Sequence, residues 1–292
     1  MLATLVAEAF DRAGWVYEEK YDGYRILAYK EGNSVTLLSR NAKDRSATFA
    51  TVAATVGTLP DSTLLLDGEV VAFDARRVSR FQLLQRGGSA HTFAVFDCLY
   101  HNGKDLRRQP LSSRRLELEA AIGKPREHLF VARRLAQNGL VAFSIAEKKG
   151  LEGIVAKDSS APYEEGRSRK WLKVKAHQEE EFVIGGSTPP RGARKHFGAL
   201  LLGAYRGPDL HYVGKVGTGF SEQTLAMLAQ RFKPLTRKNS PFVDPPRGEA
   251  TWLAPRLVAQ IAFEEWTADR KLRQPAFLGL RDDKDPRDCT LP

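Results

Sequence analysis

The chain has 292 residues, close to two domains of ordinary size. With 42% hydrophobic and 27% charged residues it has material for real cores and a solvated surface, which excludes global disorder. No apolar run nears the roughly 18 residues that span a bilayer, Glu8 interrupts Met1-Leu2-Ala3-Thr4-Leu5-Val6-Ala7 too early for a secretory signal, and Cys98 and Cys289 are too few for a four-ligand zinc site. The expectation is a soluble cytoplasmic protein with reduced thiols. Its 45 Lys and Arg against 35 Asp and Glu leave a net charge of +10, which fits a polyanionic partner such as nucleic acid.

In chain order, Trp15 to Glu19, Tyr24 to Tyr29 and Ser34 to Ser39 read as short strands. A turn at Lys30-Glu31-Gly32-Asn33 joins the last two, so the simplest arrangement is a three-stranded meander. Apolar runs at Leu64 to Phe73, Phe93 to Tyr100 and Gly153 to Lys157 predict more strands, and Leu111 to Ile122 and Leu140 to Lys149 have helical apolar spacing. The pattern is α+β with antiparallel pairing. The sequence has no regular βαβα alternation, no Gly-x-Gly-x-x-Gly and no Gly-x-x-x-x-Gly-Lys-Ser/Thr, so a dinucleotide fold and a P-loop are both unsupported.

The polar stretch Ala176-His177-Gln178-Glu179-Glu180-Glu181 suits a linker, dividing the chain into residues 1–176 and 177–292. Beyond it Phe182 to Gly185, Ala199 to Tyr205, Leu210 to Val216 and Leu257 to Glu265 read as strands, with a helix at Ser221 to Phe232. Short strands with one helix predict a small β-barrel of the oligonucleotide-binding (OB) kind, a periodicity an SH3-like barrel shares. The second part holds 17 basic and 14 acidic side chains, so most of the positive excess lies upstream.

The sharpest local feature is Lys20-Tyr21-Asp22-Gly23-Tyr24-Arg25, a Lys-x-Asp-Gly-x-Arg string between two strands. Alone it reads equally as a turn with solvated flanking charges, since Asp-Gly favours turns. Further strings follow in order: Leu66-Asp67-Gly68-Glu69-Val70-Val71, Phe96-Asp97, Glu152-Gly153-Ile154-Val155-Ala156-Lys157 and Trp171-Leu172-Lys173-Val174-Lys175. Together they resemble the covalent nucleotidyltransferases, most closely the ATP-dependent DNA ligases. Within that family the sequence is similar to the ligase module of the bacterial multidomain ligase of non-homologous end joining. Met1-Leu2-Ala3-Thr4-Leu5, Ser39-Arg40-Asn41, Phe81-Gln82-Leu83-Leu84-Gln85 and Phe277-Leu278-Gly279-Leu280-Arg281-Asp282-Asp283-Lys284 look like that module too. The chain departs from the usual pattern at Gln274, where histidine is common, and at Tyr21, where tryptophan is common; neither position does chemistry.

The resemblance implies an antiparallel-sheet, ATP-grasp-like nucleotidyltransferase domain followed by an OB domain. It also implies a reaction in which Lys20 takes AMP from ATP as a phosphoramidate, passes it to a 5′-phosphate and lets a 3′-hydroxyl displace it. By the same resemblance Glu18 and Phe96 meet adenine, and Arg25 and Arg40 the nucleotide sugar or the phosphate of a nick. Glu69 meets the ribose or a metal, Glu152 a metal beside the α-phosphate, and Lys173 and Lys175 the α-phosphate; Lys157 is a weaker phosphate candidate. Arg281 and Lys284 would meet the β,γ-phosphates. Two carboxylates among phosphates suit Mg²⁺ or Mn²⁺. A lysine with pKa near 10.4 is a poor nucleophile at neutral pH, and Lys173 and Lys175, on one strand face by alternation, are expected to lower that of Lys20. Glu19 is expected to face outward. The partners implied are nicked duplex DNA and, more remotely, the end-binding protein Ku and polymerase or nuclease modules. The chain is expected to be monomeric, nucleoid-associated and without a membrane partner. With about 19 residues ahead of Lys20, no separate amino-terminal DNA-binding domain is expected. An RNA ligase or a capping guanylyltransferase shares this chemistry, and a catalytically dead DNA-binding module is the non-enzymatic alternative; an NAD⁺-dependent ligase lacks support because two cysteines cannot build its zinc module.

Overall fold

The computed structural model describes residues 1–86, 90–176, 178–190 and 195–291, so His177 and Pro292, the expected ends of the second domain, lie outside the described residues, as does the side chain of Gln85. The chain divides into two compact units, Met1–His177 and Gln178–Pro292.

The first unit contains, in order, β1 (Leu2–Leu5), β2 (Trp15–Glu19), β3 (Tyr24–Glu31), β4 (Ser34–Ser39), α1 (Ala50–Gly57), β5 (Thr63–Val71), α2 (Phe81–Arg86), β6 (Thr92–His101), β7 (Lys104–Asp105), α3 (Leu111–Ile122), β8 (Leu129–Val131), β9 (Arg134–Ala136), α4 (Gly139–Lys149), β10 (Gly153–Asp158) and β11 (Arg167–Lys175). They build two sheets, one of order β1-β11-β10-β2-β9 and one of order β4-β3-β5-β6-β7 with β8 beside β6. Pairing is antiparallel apart from β1 with β11 and β6 with β8, as the α+β pattern implied. One core lies under α1 and α3, with Ile26, Leu37, Val52, Leu66, Phe93 and Leu118, and another under α4, with Tyr17, Ala142, Ala146, Ile154 and Val174. Helix α1 escapes the sequence reading because Ala50–Gly57 is rich in β-branched residues and buries only Val52 and Val56.

The expected meander does not form. β3 and β4 pair as a hairpin, but β2 lies in the other sheet between β10 and β9. Periodicity identifies a strand and is silent on its neighbour. The Lys20-Tyr21-Asp22-Gly23 stretch is the crossing between the sheets. Gly23 makes it possible: a Cβ there would lie 2.2 Å from the Val70 carbonyl oxygen. Asp22 pins the crossing, its N–H donating to Ser79 Oγ (3.0 Å) and its Oδ2 accepting the N–H of Phe81 (2.9 Å) at the start of α2.

Helix α3 fastens the two sheets through consecutive arginines. Arg114 donates from Nε and Nη2 to both oxygens of Asp97 on β6 (2.7 and 2.8 Å), and from Nη1 to the carbonyls of Gln109 and Ala161. Arg115 donates to Glu18 on β2 (2.9 Å) and to the Ala132 carbonyl (2.8 Å).

The second unit contains β12 (Glu179–Ser187), β13 (Leu200–Arg206), β14 (Asp209–Val216), α5 (Glu222–Phe232), β15 (Thr236–Arg237), β16 (Thr251–Ala262) and β17 (Ala276–Leu280). The sheet runs β14-β13-β12-β16-β15, with β17 on β16; among the described residues no pairing joins β14 to β15. Helix α5, capped by Ser221 Oγ on the Thr224 N–H (3.1 Å), turns Leu225, Leu228 and Phe232 into the core. The expected linker is strand for half its length: Glu179, Glu180 and Glu181 open β12 opposite Ala262, Ile261 and Gln260. Backbone pairing does not require apolar side chains where they are half-solvated, so the acidic run hid a strand start.

Arg114 and Asp97 are both fully buried. Arg114→Leu leaves that carboxylate without its cation and should cost about 3–5 kcal/mol in urea unfolding. Arg114→Leu combined with Asp97→Leu should recover most of the loss; an unaltered unfolding midpoint in the single variant would refute the role.

Candidate active site

Lys20 and Glu152 are 132 positions apart and meet because β2 lies beside β10. The register that sets Glu19 opposite Ile154 carries on one step, with the Lys20 N–H donating to the Gly153 carbonyl (3.0 Å). Gly153 has φ +151, and a Cβ there would sit 2.1 Å from the Val174 oxygen, so no other residue fits between Glu152 and β11. Lys20 Nζ donates to Glu152 Oε1, with the side chains 17% and 11% exposed.

Burial disfavours the Lys20 ammonium, but the carboxylates of Glu152, Asp22 and Glu69 outweigh it and lift the pKa above that of an ordinary lysine. This corrects the expected lowering by Lys173 and Lys175. Those lysines stand half-buried on β11 opposite Val155 and Gly153, on one face as alternation requires, but the charges that dominate at Nζ are negative.

Glu69 on β5 lies opposite Arg25 on β3 and is half-buried. Arg25 makes a two-point pair with the fully buried Asp67, Nε to Oδ1 at 3.0 Å and Nη2 to Oδ2 at 2.6 Å, and Tyr163 donates to the same carboxylate (2.9 Å). Its guanidinium carbon is 5.4 Å from the ring centre of Phe96 and 5.9 Å from that of Trp171. Phe96 is half-buried and meets Trp171 edge-on, with centroids 5.7 Å apart. Lys157 Nζ lies 4.4 and 4.1 Å from the same two rings and donates to Glu18 Oε2 (2.6 Å). Burial lowers the Lys157 pKa against the pull of Glu18.

Glu18 therefore has its two oxygens on Lys157 and Arg115 and is 2% exposed. Glu19 corrects a second expectation. It is buried rather than outward, with Arg133 Nη2 at 2.7 Å from Oε2, and burial raises its pKa. The sheet is covered on both faces at β2, so alternation there leaves no solvent face. Arg40 is exposed just past Ser39, which pairs with Ile26, so it sits at the Arg25 end of the hairpin.

The structure thus gathers Lys20, Glu152, Glu69, Arg25, Phe96, Glu18, Lys157, Lys173 and Lys175 on neighbouring strands of one unit. Arg281 and Lys284 belong to the other unit. Arg281 is 8% exposed, bonded twice to Asp283 (2.9 Å each) and once to Gln260 (3.2 Å), and Lys284 lies 3.4 Å from Glu181. Asp67, Trp171 and Tyr163 were passed over in the sequence, although the first two stand inside quoted strings. Arg114 and Arg115 did leave a signal, two charges inside a helix whose other buried positions are apolar.

As for a divalent ion, Glu152 Oε2 is buried and has no hydrogen-bond partner among the described residues, an acceptor suited to a cation or its water. Among those residues no group of three or more His, Cys, Asp or Glu side chains could hold a metal, so the rest of the coordination falls to phosphate oxygens and water.

A lysine on the crossing between two sheets, facing carboxylates, in a unit whose strands also hold an aromatic–cation cluster, fits a nucleotidyltransferase-type domain. Residues 1–175 match the family described as ATP dependent DNA ligase domain, and residues 193–284 the ATP dependent DNA ligase C terminal region. The chain belongs to the ATP-dependent DNA ligases. It is 34% identical to a solved mycobacterial DNA ligase D complexed with ATP and MES, covering 100% of this chain and 97% of that one with a TM-score of 0.78. It is 37% identical to the multifunctional non-homologous end joining protein LigD of Pseudomonas aeruginosa, over 99% of this chain and 36% of that protein. With the LigD of Mycobacterium tuberculosis it shares 37% identity over 98% of this chain and 39% of the relative. The chain thus spans little more than a third of the length of these curated relatives.

Because Glu152 is the largest influence raising the Lys20 pKa, Glu152→Gln should shift the pH midpoint for modification of Lys20 by an amine-reactive reagent downward, as followed by peptide mass spectrometry. An unchanged or higher midpoint would show that the pair does not govern the amine.

Proposed function

We propose that this protein seals nicks in duplex DNA, joining a 5′-phosphate to a 3′-hydroxyl at the expense of ATP through a covalent lysyl-AMP. The observation that supports it most is the placement of Lys20, on a crossing held by Asp22 and paired to Glu152, in a chain of the ATP-dependent DNA ligase family. Lys20 Nζ attacks the α-phosphorus, an N–P bond forms and the P–O bond to pyrophosphate breaks. The amine must first give its proton to water, a transfer that the charged Glu152 carboxylate opposes and that becomes easier when that charge is offset.

Lys173 and Lys175 offset charge on the transferring phosphoryl group, Phe96 offers a face to adenine, and Arg25 and Arg40 bind sugar or nick phosphate. Glu18 contributes to the base site by holding β2 against Lys157 and Arg115. Glu69 and Glu152 would hold Mg²⁺ or Mn²⁺, which when bound neutralises phosphate charge and sets in-line geometry. For Arg281 and Lys284 we keep the β,γ-phosphates as the target, a role that requires them to leave Asp283 and Glu181. AMP then passes to the 5′-phosphate and the 3′-hydroxyl displaces it, with in-line geometry and charge neutralisation serving all three steps.

The names of the LigD relatives place them in non-homologous end joining, and we extend that pathway to this chain, with Ku and polymerase or nuclease modules as prospective partners, nicked DNA as the substrate, and a monomer acting at the bacterial nucleoid in the cytoplasm.

Mixing the protein with α-labelled ATP and Mg²⁺ should leave label on it through denaturation, and Lys20→Ala should retain none; Lys173→Ala should slow labelling by about 10²–10³-fold. In parallel, ATP but not GTP or NAD⁺ should support sealing of a labelled nicked duplex. Label retained by Lys20→Ala, or sealing with GTP alone, would overturn the reading.

A further inference from the structure

A tight turn leading out of β5 has a tip that contributes none of the nucleotide-site residues named above, yet its backbone is closely bonded. Phe73 and Ser79 bridge across it, the Asp74 N–H donates to the Val78 carbonyl (2.9 Å), and the Arg77 N–H donates to the Asp74 carbonyl (2.9 Å). Asp74 Oδ1 accepts the N–H groups of Arg76 (2.9 Å) and Val78 (3.0 Å). The tip thus presents Arg76 and Arg77 to solvent. Arg77 stands at φ +63, the left-handed region, with its guanidinium 5.2 Å from the Phe73 ring centre. A non-glycine residue persists there only where its surroundings impose it.

The exit of the turn is tied to the nucleophile. Val78 is buried in the core under α4, Ser79 Oγ takes the Asp22 N–H, and the Phe81 N–H goes to Asp22, two residues past Lys20. Arg80 Nη2 reaches the Gly150 carbonyl (3.3 Å), directly after the exposed pair Lys148 and Lys149 that ends α4. Lys149 is close enough to act on the charge of Glu19, which pairs with Arg133, a side chain 47% exposed. The turn that carries Arg76, Arg77 and Arg80, the α4 end that carries Lys148 and Lys149, and Arg133 are thus each linked to the residues that flank Lys20. The acids nearby are Asp74, engaged in the turn and 3.4 Å from Arg80, the buried Glu19 and Asp22, Glu152 on Lys20, and exposed Glu147.

We infer that this basic rim, with Arg76 and Arg77 at its tip, grips the phosphate backbone of duplex DNA beside the nick. The inference rests on the ligase reading above and assigns to its DNA substrate a contact surface outside the nucleotide site. A pinned turn suits this duty because charges held rigidly lose little freedom on binding. A backbone contact is indifferent to sequence and sensitive to salt.

Binding of a fluorescent nicked duplex, without ATP, should be measured by anisotropy over a salt series. Arg76→Ser with Arg77→Gly removes both charges, and glycine accepts the left-handed φ without strain. The slope of log K against log salt should fall in magnitude by about 2, with affinity about tenfold weaker near 0.15 M salt for any duplex sequence. Lys148→Gln with Lys149→Gln, at a helix end away from the turn, should reduce it similarly. Slopes equal to wild type in both variants would overturn the proposal, including the case in which the rim serves an acidic protein instead. Lysyl-AMP formation from ATP alone keeps the two readings apart: if wild type forms none, the ligase reading fails, while the salt slopes still decide the rim.

Discussion

Two neighbouring arginines on α3 carry much of the first unit. Arg114 holds the carboxylate next to Phe96, and Arg115 holds one two residues before Lys20. Phe96 belongs to one sheet and Lys20 extends a strand of the other, so a single helical turn sets the distance between the aromatic wall and the amine. Buried ion pairs stabilise weakly compared with apolar packing, because desolvation cancels much of their attraction. Their geometry is stricter than that of apolar contacts, however, and it fixes where the Lys20 end of β2 stands against β6.

The same economy of charge runs through the rest of the cluster. Arg25 is satisfied by Asp67, Lys157 by Glu18, and Lys20 by Glu152. Each cation is paired, so the unit holds its charges without isolating any of these three. Electrostatically this structure shows Lys20 at rest: carboxylates keep it protonated, and the lysines of β11 do not offset them. The folded chain therefore holds Lys20 as an ammonium in this arrangement.

Much of this could be read in advance, and the failures share a cause. Strands β2 to β6 and β10 of the first unit, α3, α4 and α5 follow from periodicity, whereas the short β1, β7, β8 and β9 do not, and the motif strings singled out Lys20, Glu69, Glu152, Lys173 and Lys175. What periodicity missed were partners. β2 was assigned to the wrong sheet, Glu19 to solvent and the start of β12 to a linker, because alternation says which residues share a face and not what covers it. Asp67, Asp97 and Arg115 went unassigned since a charged residue on a buried strand looks like any other charge until its counter-ion is found.

By itself, then, the sequence determined the longer periodic elements, the order of the chemistry-bearing strings and the family they resemble, since these depend on spacing along one chain. The tertiary structure decided which strings meet. Glycine at positions 23 and 153 lets backbones cross closely enough to bring Lys20 against Glu152, and that contact reversed the expected direction of the lysine pKa. The excess of positive charge could be assigned to the first part by counting, but which basic segments become neighbours, such as Arg80 and the Lys148–Gly150 end of α4, was decided by the fold. Coulomb's law acts through space, and spacing in sequence does not report it.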